Sequence, residues 1–167
     1  MKQKNLLILG AGQYGRVVRE TAQAMGCFGE IAFLDDNSSV AIGKFADYEH
    51  LTSGYQVAVV ALGDLQLRLL WLDNLARAGF EVPVLIHPKA YVSPSARVGS
   101  GTIVEPRAVI NTEAVVGSGC LVCAGAVINH NSVVQCGCKI DCNAVVAANT
   151  VVPEGTKVKA GTVYEKK

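Results

Sequence analysis

Residues 92–134 read VSPSARVGSGTIVEPRAVINTEAVVGSGCLVCAGAVINHNSVV, and this stretch decides the fold of the chain. An aliphatic residue stands at every sixth position, and a small residue follows four positions after each of them. The aliphatic positions are Val92, Val98, Val104, Ile110, Val116, Val122, Ile128, Val134, Ile140, Val146, Val152 and Val158. The small positions are Ala96, Thr102, Ala108, Ala114, Cys120, Ala126, Ser132, Cys138, Ala144, Thr150, Thr156 and Thr162. A period of six fits neither an α-helix nor a heptad, and it is typical of a parallel β-helix.

The repeat predicts a triangular solenoid with a core of its own. Three hexapeptides make one coil, so roughly four coils fit between Val92 and Tyr164. Aliphatic side chains would fill the core, small side chains would fit the corners, and stacking of the coils would stabilise the whole. Valine dominates this part of the chain and Leu121 is its only leucine, which favours strands over helices. Residues 88–167 are therefore assigned to an all-β parallel β-helix domain.

The residues before this domain follow a different pattern, in which short apolar strands alternate with helices. The expected strands are residues 6–9, 31–34, 57–62 and 82–86. A helix follows the first strand, and a second helix begins after Asp64, which suits its N-cap, and ends before Gly79. Strands that alternate with helices pair in parallel, so residues 1–87 are expected to form a Rossmann-like α/β domain. Ligands of such a domain bind at the carboxyl edge of the sheet.

Composition excludes several classes of protein. The chain has 167 residues, of which 50% are hydrophobic and 17% charged, so it is not intrinsically disordered. Its longest apolar run, residues 57–62, is far shorter than the ~20 residues of a membrane-spanning helix. The apolar stretch near the N-terminus is too short for a signal peptide. A net charge of +1 without a basic cluster excludes a nucleic-acid footprint. We expect a cytoplasmic protein without membrane or nucleic-acid partners.

Six cysteines without an export signal predict reduced thiols rather than disulfides. Five of them, Cys120, Cys123, Cys136, Cys138 and Cys142, raise the question of a metal site. Cys120 and Cys138 both occupy the small-residue position and are separated by one full coil, so they should stack in the core. Cys123 follows an inward residue and is expected to point outward elsewhere. Four ligands do not converge as a tetrahedral zinc ion requires, and no metal is expected.

Four groups of motifs connect the two halves to a known family. They are LLILGAG at 6–12 with GRVV at 15–18, VALGD at 60–64, LIHP at 85–88 with VSPSA at 92–96, and GAVINH at 125–130. With these motifs the chain resembles the hexapeptide-repeat acyltransferases that acetylate bacterial nucleotide sugars and sialic acids. The resemblance implies a left-handed β-helix, a homotrimer, acetyl-CoA in the groove between neighbouring β-helices, and a catalytic histidine at His130.

The chain departs from the family pattern at several positions. Family members usually have a histidine in the glycine turn, where this chain has Tyr14. Acidic residues usually flank the catalytic histidine, whereas Asn129 and Asn131 flank His130 here. Lys139 stands where some members have a second histidine. Acyl transfer is therefore the expected reaction, while the acceptor of any family member is not carried over.

His130 is the expected general base. It stands two residues after the inward Ile128, so its side chain should project outward from the coil. An imidazole with a pKa of about 6.5 can take a proton from an amine or a hydroxyl near neutral pH. Without acidic neighbours, Asn129, Asn131 or a backbone carbonyl would have to orient the ring, and Asn131 is the second expected catalytic residue. The spacing alone equally fits a solvated loop histidine.

The glycine turn after the first strand is the expected binding site for the acceptor. The expected binding residues all follow strand ends and are Gly10, Gly12, Gln13, Tyr14, Gly15, Asp35, Asp36, Gly63 and Asp64. Backbone N–H groups at the start of the helix would hold a phosphate of a nucleotide-linked sugar or a related anion. A dinucleotide such as NAD needs two mononucleotide halves, and the ~86 residues available supply one. A purely structural tight turn is the third interpretation.

Two other functions remain open on the sequence alone. One is a non-catalytic trimeric module that binds a nucleotide or a metabolite, which the loss of the acidic neighbours of His130 favours. The other is an NAD-dependent oxidoreductase, which the size of the first domain disfavours. Transfer of an acyl group from acetyl-CoA to an amine or hydroxyl of a sugar, a nucleotide sugar or a related metabolite is the preferred interpretation.

Overall fold

The computed structural model describes residues 3–165 and contains two compact units, one ending at Pro83 and one beginning at Val84. The division therefore precedes the boundary predicted between His87 and Pro88. The reason is that residues 85–86 belong to the solenoid, where they pair in parallel with residues 103–104. The predicted last strand of the α/β domain, residues 82–86, is wrong for the same reason.

The first unit is an α/β fold around a three-stranded parallel sheet, as the alternating pattern predicts. The strands are β1 (Lys4–Leu9), β2 (Phe28–Leu34) and β3 (Val57–Val60), and the helices are α1 (Gln13–Met25), α2 (Leu65–Arg77) and a 3-10 helix (Phe45–Leu51). The strand order is β2-β1-β3, with all pairs parallel. β3 is two residues shorter than predicted, and the 3-10 helix has no counterpart in the sequence prediction.

The two α-helices begin and end at residues that the sequence marks. The Asp64 carboxylate accepts a hydrogen bond of 2.8 Å from the Leu67 N–H, which confirms the predicted N-cap of α2. Gly79 follows the same helix with a φ of +92°, in the left-handed region that favours glycine. α1 ends at Gly26, which has a φ of +66°. Val18 and Ala22 are buried on the face of α1 that covers the sheet.

The second unit is a parallel β-helix of the left-handed type, which confirms the predicted fold class. Its strands are β4 (Leu85–Ile86), β5 (Tyr91–Val92), β6 (Arg97–Val98), β7 (Ile103–Val104), β8 (Val109–Ile110), β9 (Val115–Val116), β10 (Leu121–Val122), β11 (Val127–Ile128), β12 (Val133–Val134), β13 (Lys139–Ile140), β14 (Val145–Val146), β15 (Val151–Val152), β16 (Lys157–Val158) and β17 (Val163–Tyr164). They form three parallel sheets, ordered β16-β13-β10-β7-β4, β17-β14-β11-β8-β5 and β15-β12-β9-β6. Each strand therefore stacks on its equivalent in the neighbouring coil.

The core of the solenoid consists of the repeat residues. From Val104 to Val158 every aliphatic repeat position is at most 3% exposed. Cys120 and Cys138 are both fully buried at their stacked corner positions, as predicted. Cys123 departs from its prediction, because its side chain is buried rather than exposed. Burial raises the pKa of the Cys123 thiol, and the neighbouring Glu105 carboxylate acts in the same direction.

Candidate functional site

His130 lies at the corner of the solenoid that joins β11 to β12. Its imidazole is exposed, as its place two residues after Ile128 predicts. Backbone hydrogen bonds fix the corner to the coils on either side. The Asn131 N–H donates to the Thr112 carbonyl (3.1 Å), and the Asn149 N–H donates to the His130 carbonyl (3.1 Å). The backbone that carries the histidine is therefore held on both sides, while the ring faces outward.

Asn131 contacts the imidazole directly. Its Nδ2 lies 3.2 Å from Nδ1 of His130, and its backbone has a φ of +56°. Asparagine tolerates this left-handed conformation better than most residues, so it serves the turn as well as the ring. When Nδ2 donates to Nδ1, the neutral imidazole carries its proton on Nε2. Rotating the Asn131 amide by 180° exchanges its oxygen and nitrogen and keeps the geometry. Oδ1 then lies beside Nδ1 and accepts its proton in a hydrogen bond, so that Nε2 carries the lone pair.

A second pair of amides lies next to the histidine. Asn111 and Asn129 occupy equivalent positions on successive coils, and Nδ2 of Asn111 donates to Oδ1 of Asn129 over 3.2 Å. Both side chains are half-buried. Asn129 was predicted as one of the groups that could orient the ring of His130, whereas Asn111 was not predicted. Their separation in the chain, one full coil, is the signal that could have found the pair.

The corner of His130 separates two faces that carry valine ladders. Val109, Val127 and Val145 are half-buried and point outward on one face. The other face carries a second row of outward valines, Val115, Val133 and Val151. The first two are half-buried, and Val151 is 50% exposed. Rows of outward apolar side chains of this kind are characteristic of surfaces that associate with another chain.

Lys139, which replaces a second histidine, is engaged in an ion pair. Its ammonium lies 3.2 Å from the Asp141 carboxylate, and the Lys157 ammonium lies 3.7 Å from the same carboxylate. Burial lowers the pKa of Lys139, but the hydrogen bond and the charge of Asp141 outweigh it and raise the pKa above the usual value. Lys139 therefore stays protonated at neutral pH and does not serve as a base.

The glycine turn of the first unit is held by close backbone contacts. Gly10 has a φ of +106°, and an added Cβ would lie 2.9 Å from the carbonyl oxygen of Ala61. An added Cβ at Gly15 would lie 2.0 Å from the carbonyl oxygen of Gly10. Both glycines are thus required by the fold itself.

Gly12 differs from these two glycines. Its backbone has an ordinary extended conformation, and an added Cβ would have no atom within 4 Å. Gly12 and Gln13 are exposed at the start of α1, whereas Tyr14 is half-buried. The fold therefore gives no reason for a glycine at residue 12. An open surface above a helix N-terminus is the arrangement that permits close approach of a phosphate.

The aspartates predicted to bind the acceptor hold the protein's own backbone. The Asp35 carboxylate accepts hydrogen bonds from the N–H groups of Ala11 (2.8 Å) and Asn37 (2.9 Å), and these bonds lower its pKa. Asp36 accepts from the N–H of Phe45 (3.0 Å). The structure thus brings Asp35 to the glycine turn, while Asp36 supports the start of the 3-10 helix. Both were predicted to bind the acceptor, and in the structure both accept hydrogen bonds from backbone N–H groups.

Gly63 and Asp64 also serve the fold. The Gly63 carbonyl accepts a hydrogen bond of 3.1 Å from the buried guanidinium of Arg68, and Asp64 caps α2. Their place after β3 puts them on the same sheet edge as the glycine turn, and both remain exposed.

The cysteines are free thiols. The Cys120 thiol donates to the Gln135 carbonyl (3.2 Å), and the Cys138 thiol donates to the Pro153 carbonyl (3.1 Å). The hydrogen bond with Cys138 and burial both raise the pKa of Cys120. Within residues 3–165 no group of three or more histidine, cysteine or acidic side chains is arranged to hold a metal ion. Over the same range no helix is long and apolar enough to cross a membrane.

Comparison with known proteins connects both units to one family. The sequence profile of the PglD N-terminal domain matches residues 5–75. The acetyltransferase domain of PglB from Neisseria gonorrhoeae FA1090 is 34% identical, with a TM-score of 0.93 over 96% of this chain and 82% of that one. The chain belongs to the hexapeptide-repeat sugar acyltransferases. The PglB domain has also been solved in complex with acetyl coenzyme A, and that structure gives a TM-score of 0.91.

Two further proteins that are similar to the chain are N-acetyltransferases by name. UDP-N-acetylbacillosamine N-acetyltransferase of Bacillus subtilis strain 168 is 29% identical over 117 residues, which make up 60% of this chain. The match spans about half the length of that relative, 51%. A histidine-to-asparagine variant of perosamine N-acetyltransferase from Caulobacter crescentus, bound to CoA and GDP-perosamine, is 26% identical with a TM-score of 0.79 over 97% of this chain and 89% of that one.

Proposed function

We propose that the chain transfers the acetyl group of acetyl-CoA to the amino group of a nucleotide-linked aminosugar, with His130 as general base. The observation that carries the proposal is the exposed imidazole of His130, in contact with Asn131, on a fixed corner of the β-helix. The relatives supply the reaction class, since one binds acetyl coenzyme A and another binds CoA together with GDP-perosamine.

The base requires a defined tautomer of the imidazole. In the active arrangement the Asn131 amide presents Oδ1 to Nδ1–H of His130, and Nε2 faces the substrate with its lone pair. Asn131 then plays the orienting role that a carboxylate plays elsewhere, but without a negative charge. The imidazolium that forms during the reaction is therefore held in place by a dipole rather than by an ion pair.

The transfer of the acetyl group is an addition followed by an elimination. The amino nitrogen attacks the thioester carbonyl carbon with its lone pair, and the carbonyl electrons move onto the oxygen. Nε2 of His130 takes a proton from the nitrogen. The oxyanion collapses, the carbon–sulfur bond breaks, and the imidazolium returns the proton to the sulfur of CoA. The products are an N-acetyl sugar and free CoA thiol.

The glycine turn is the proposed site for the phosphates of the acceptor. Gly12 supports this role, because its surroundings are open and its backbone is unstrained. Asp35 supports the site indirectly, since its carboxylate holds the N–H of Ala11 and so fixes the turn before α1. We assign the ligand contact to the backbone at the start of α1 rather than to the carboxylates of Asp35 and Asp36.

The catalytic unit is proposed to be a homotrimer. The two valine ladders, Val109/Val127/Val145 and Val115/Val133/Val151, flank the corner of His130 and offer apolar surface to a neighbouring solenoid. Association through these faces would place acetyl-CoA in a groove beside His130. A ligand as long as CoA gains more contacts in such a groove than on a single flat face.

A screen for thiol release tests the proposed function. The purified protein is incubated with acetyl-CoA and a panel of UDP- and GDP-linked aminosugars, their hydroxyl counterparts and simple amines. Release of CoA thiol is followed with a chromogenic disulfide, and products are identified by mass. The proposal expects release with at least one nucleotide aminosugar and a product heavier by one acetyl group. Saturable binding of the nucleotide sugar without any thiol release would identify a non-catalytic binding module instead.

A further inference from the structure

The Asn111–Asn129 pair links two successive coils of the solenoid by a side-chain hydrogen bond. Nδ2 of Asn111 donates to Oδ1 of Asn129 over 3.2 Å, so the acceptor atom of Asn129 is occupied from the coil below. The equivalent position on the coil above is Ala147, whose side chain offers no hydrogen-bond acceptor. The Nδ2 group of Asn129 is therefore the unshared end of the pair, and it consists only of donors.

The Nδ2 group of Asn129 belongs to the residue next to the candidate base His130. Asn129 directly precedes His130 at the corner between β11 and β12, where Asn129 is half-buried and His130 is exposed. In acetyl transfer the atom that gains negative charge is the thioester oxygen, which lies only a few bonds from the nitrogen that His130 deprotonates. Donors placed beforehand at such an oxygen stabilise the transition state more than the ground state.

We infer that Nδ2 of Asn129 donates a hydrogen bond to the thioester carbonyl oxygen of acetyl-CoA, and that Asn111 is a positioning residue that orients the Asn129 amide. The inference rests on the proposed function. Asn129 stabilises the oxyanion that forms when the amine adds to the carbonyl, while His130 accepts the proton. Asn111 acts only through Asn129. Its Nδ2 group binds Oδ1 of Asn129, so that Nδ2 of Asn129 is the end of the amide that points away from Asn111.

Asn111→Asp is the most informative variant. A carboxylate at residue 111 accepts but does not donate, so the Asn129 amide must turn its Nδ2 toward it and present Oδ1 to the substrate. A lone pair then faces the developing oxyanion. Asn129→Ala removes the donor without inverting it. Gln135→Glu is the matched control, since it makes the same amide-to-carboxylate change at a different corner, where the side-chain oxygen accepts from the Glu154 N–H.

Steady-state kinetics give the first readout. Loss of one oxyanion donor lowers kcat by about 10²- to 10³-fold in known cases, and we expect Asn129→Ala to fall near the lower end of that range. Asn111→Asp should fall at least as far, although residue 111 does not touch the substrate. Gln135→Glu should stay within about 2-fold of wild type. For Asn129→Ala, KM for acetyl-CoA and the pH at which the rate rises should change little, since neither the nucleotide part of CoA nor His130 is altered.

Infrared spectroscopy gives a second readout that does not depend on turnover. The carbonyl band of acetyl-CoA, labelled with ¹³C at the thioester carbon, should move to lower frequency on binding to the wild-type protein. That shift should be lost in Asn129→Ala and in Asn111→Asp, and kept in Gln135→Glu. Thermal unfolding identifies variants that fail to fold.

The results of these experiments distinguish a failure of the roles assigned to Asn129 and Asn111 from a failure of the proposed acetyltransferase function. Wild-type transfer with an unchanged kcat and an unchanged carbonyl shift in both asparagine variants would overturn the inference and leave the acyltransferase function standing. Absence of transfer by the wild-type protein would remove the proposed function itself. A fall in kcat with Asn129→Ala alone, and wild-type behaviour of Asn111→Asp, would refute the positioning role of Asn111.

Discussion

Nδ2 of Asn131 lies 3.2 Å from Nδ1 of His130, so the candidate base is oriented by the residue that follows it in the chain. Asn131 also has a φ of +56°, in the left-handed region. One residue thus satisfies the left-handed corner of the solenoid and provides the partner of the imidazole. An amide in this role orients the ring and adds no charge.

Asn131→Asp tests the role of this amide. A carboxylate beside Nδ1 stabilises the imidazolium relative to the neutral ring. Since the base is active when unprotonated, the pH at which kcat/KM rises should move upward, while kcat at high pH is kept or increased. Asn131→Gly retains the left-handed backbone and removes the partner, and its kcat should fall by about 10-fold. Identical pH profiles for all three proteins would contradict the orienting role.

Gly12 and Gly15 make a matched pair for testing the glycine turn. A side chain at residue 12 has open space around it, so Gly12→Val should unfold within a few degrees of wild type. It should, however, lose the thermal stabilisation that a nucleotide sugar gives, because the side chain blocks the phosphate. Gly15→Ala places its Cβ 2.0 Å from the Gly10 carbonyl oxygen and should lower the free energy of unfolding by about 1–3 kcal/mol. Full nucleotide protection of Gly12→Val would show that the turn is structural.

Asp35 gives the first unit a dependence on acid pH. Hydrogen bonds from the Ala11 and Asn37 N–H groups lower the pKa of this carboxyl in the folded chain below its unfolded value. Its contribution to stability is therefore present above the unfolded pKa of about 3.9 and is lost as the pH falls through the lower folded value. Asp35→Ala should be less stable than wild type at pH 7, and the difference should shrink toward pH 2. Denaturant unfolding at several pH values measures it, and a constant difference would contradict the assignment.

Val133 tests association through the valine ladders. Val133→Glu places a charge on a face that is half-buried within a single chain, so it should convert the expected trimer to a monomer and lower activity with it. Lys159→Glu, on an exposed position of another corner, is the control and should remain trimeric. Light scattering at micromolar concentration measures the mass. A monomeric wild-type protein would refute the shared groove.

The sequence predicted the solenoid well because its core positions recur with a fixed period. Ile128 and Ala126 are buried for the same reason as their equivalents on every other coil, and the stacking of Cys120 on Cys138 followed from their separation alone. Non-repetitive contacts were harder to predict. Residues 85–86 read as a strand of the α/β sheet, yet their partners are residues 103–104, and local pattern carries no information about which sheet a short strand joins.

The candidate site was predicted in part. The outward position of His130 and its proximity to Asn131 follow from the repeat and from adjacency in the chain. The engagement of Asp35 by the Ala11 N–H and the pairing of Asn111 with Asn129 depend on side-chain hydrogen bonds between distant residues. Residue type alone does not show whether a carboxylate faces a ligand or the protein's own backbone.

The pH–rate profile of His130→Ala, compared with wild type in acetyl transfer to the best nucleotide aminosugar, tests the central claim most directly. The proposed mechanism predicts that kcat falls by about 10² to 10⁴, and that the rise of the wild-type profile through a single ionisation near neutrality disappears in the variant. Affinity for acetyl-CoA and the unfolding temperature should stay close to wild type, because the side chain points out of the core. A His130→Ala protein that keeps wild-type turnover and the same pH profile would contradict the assignment of His130 as the general base.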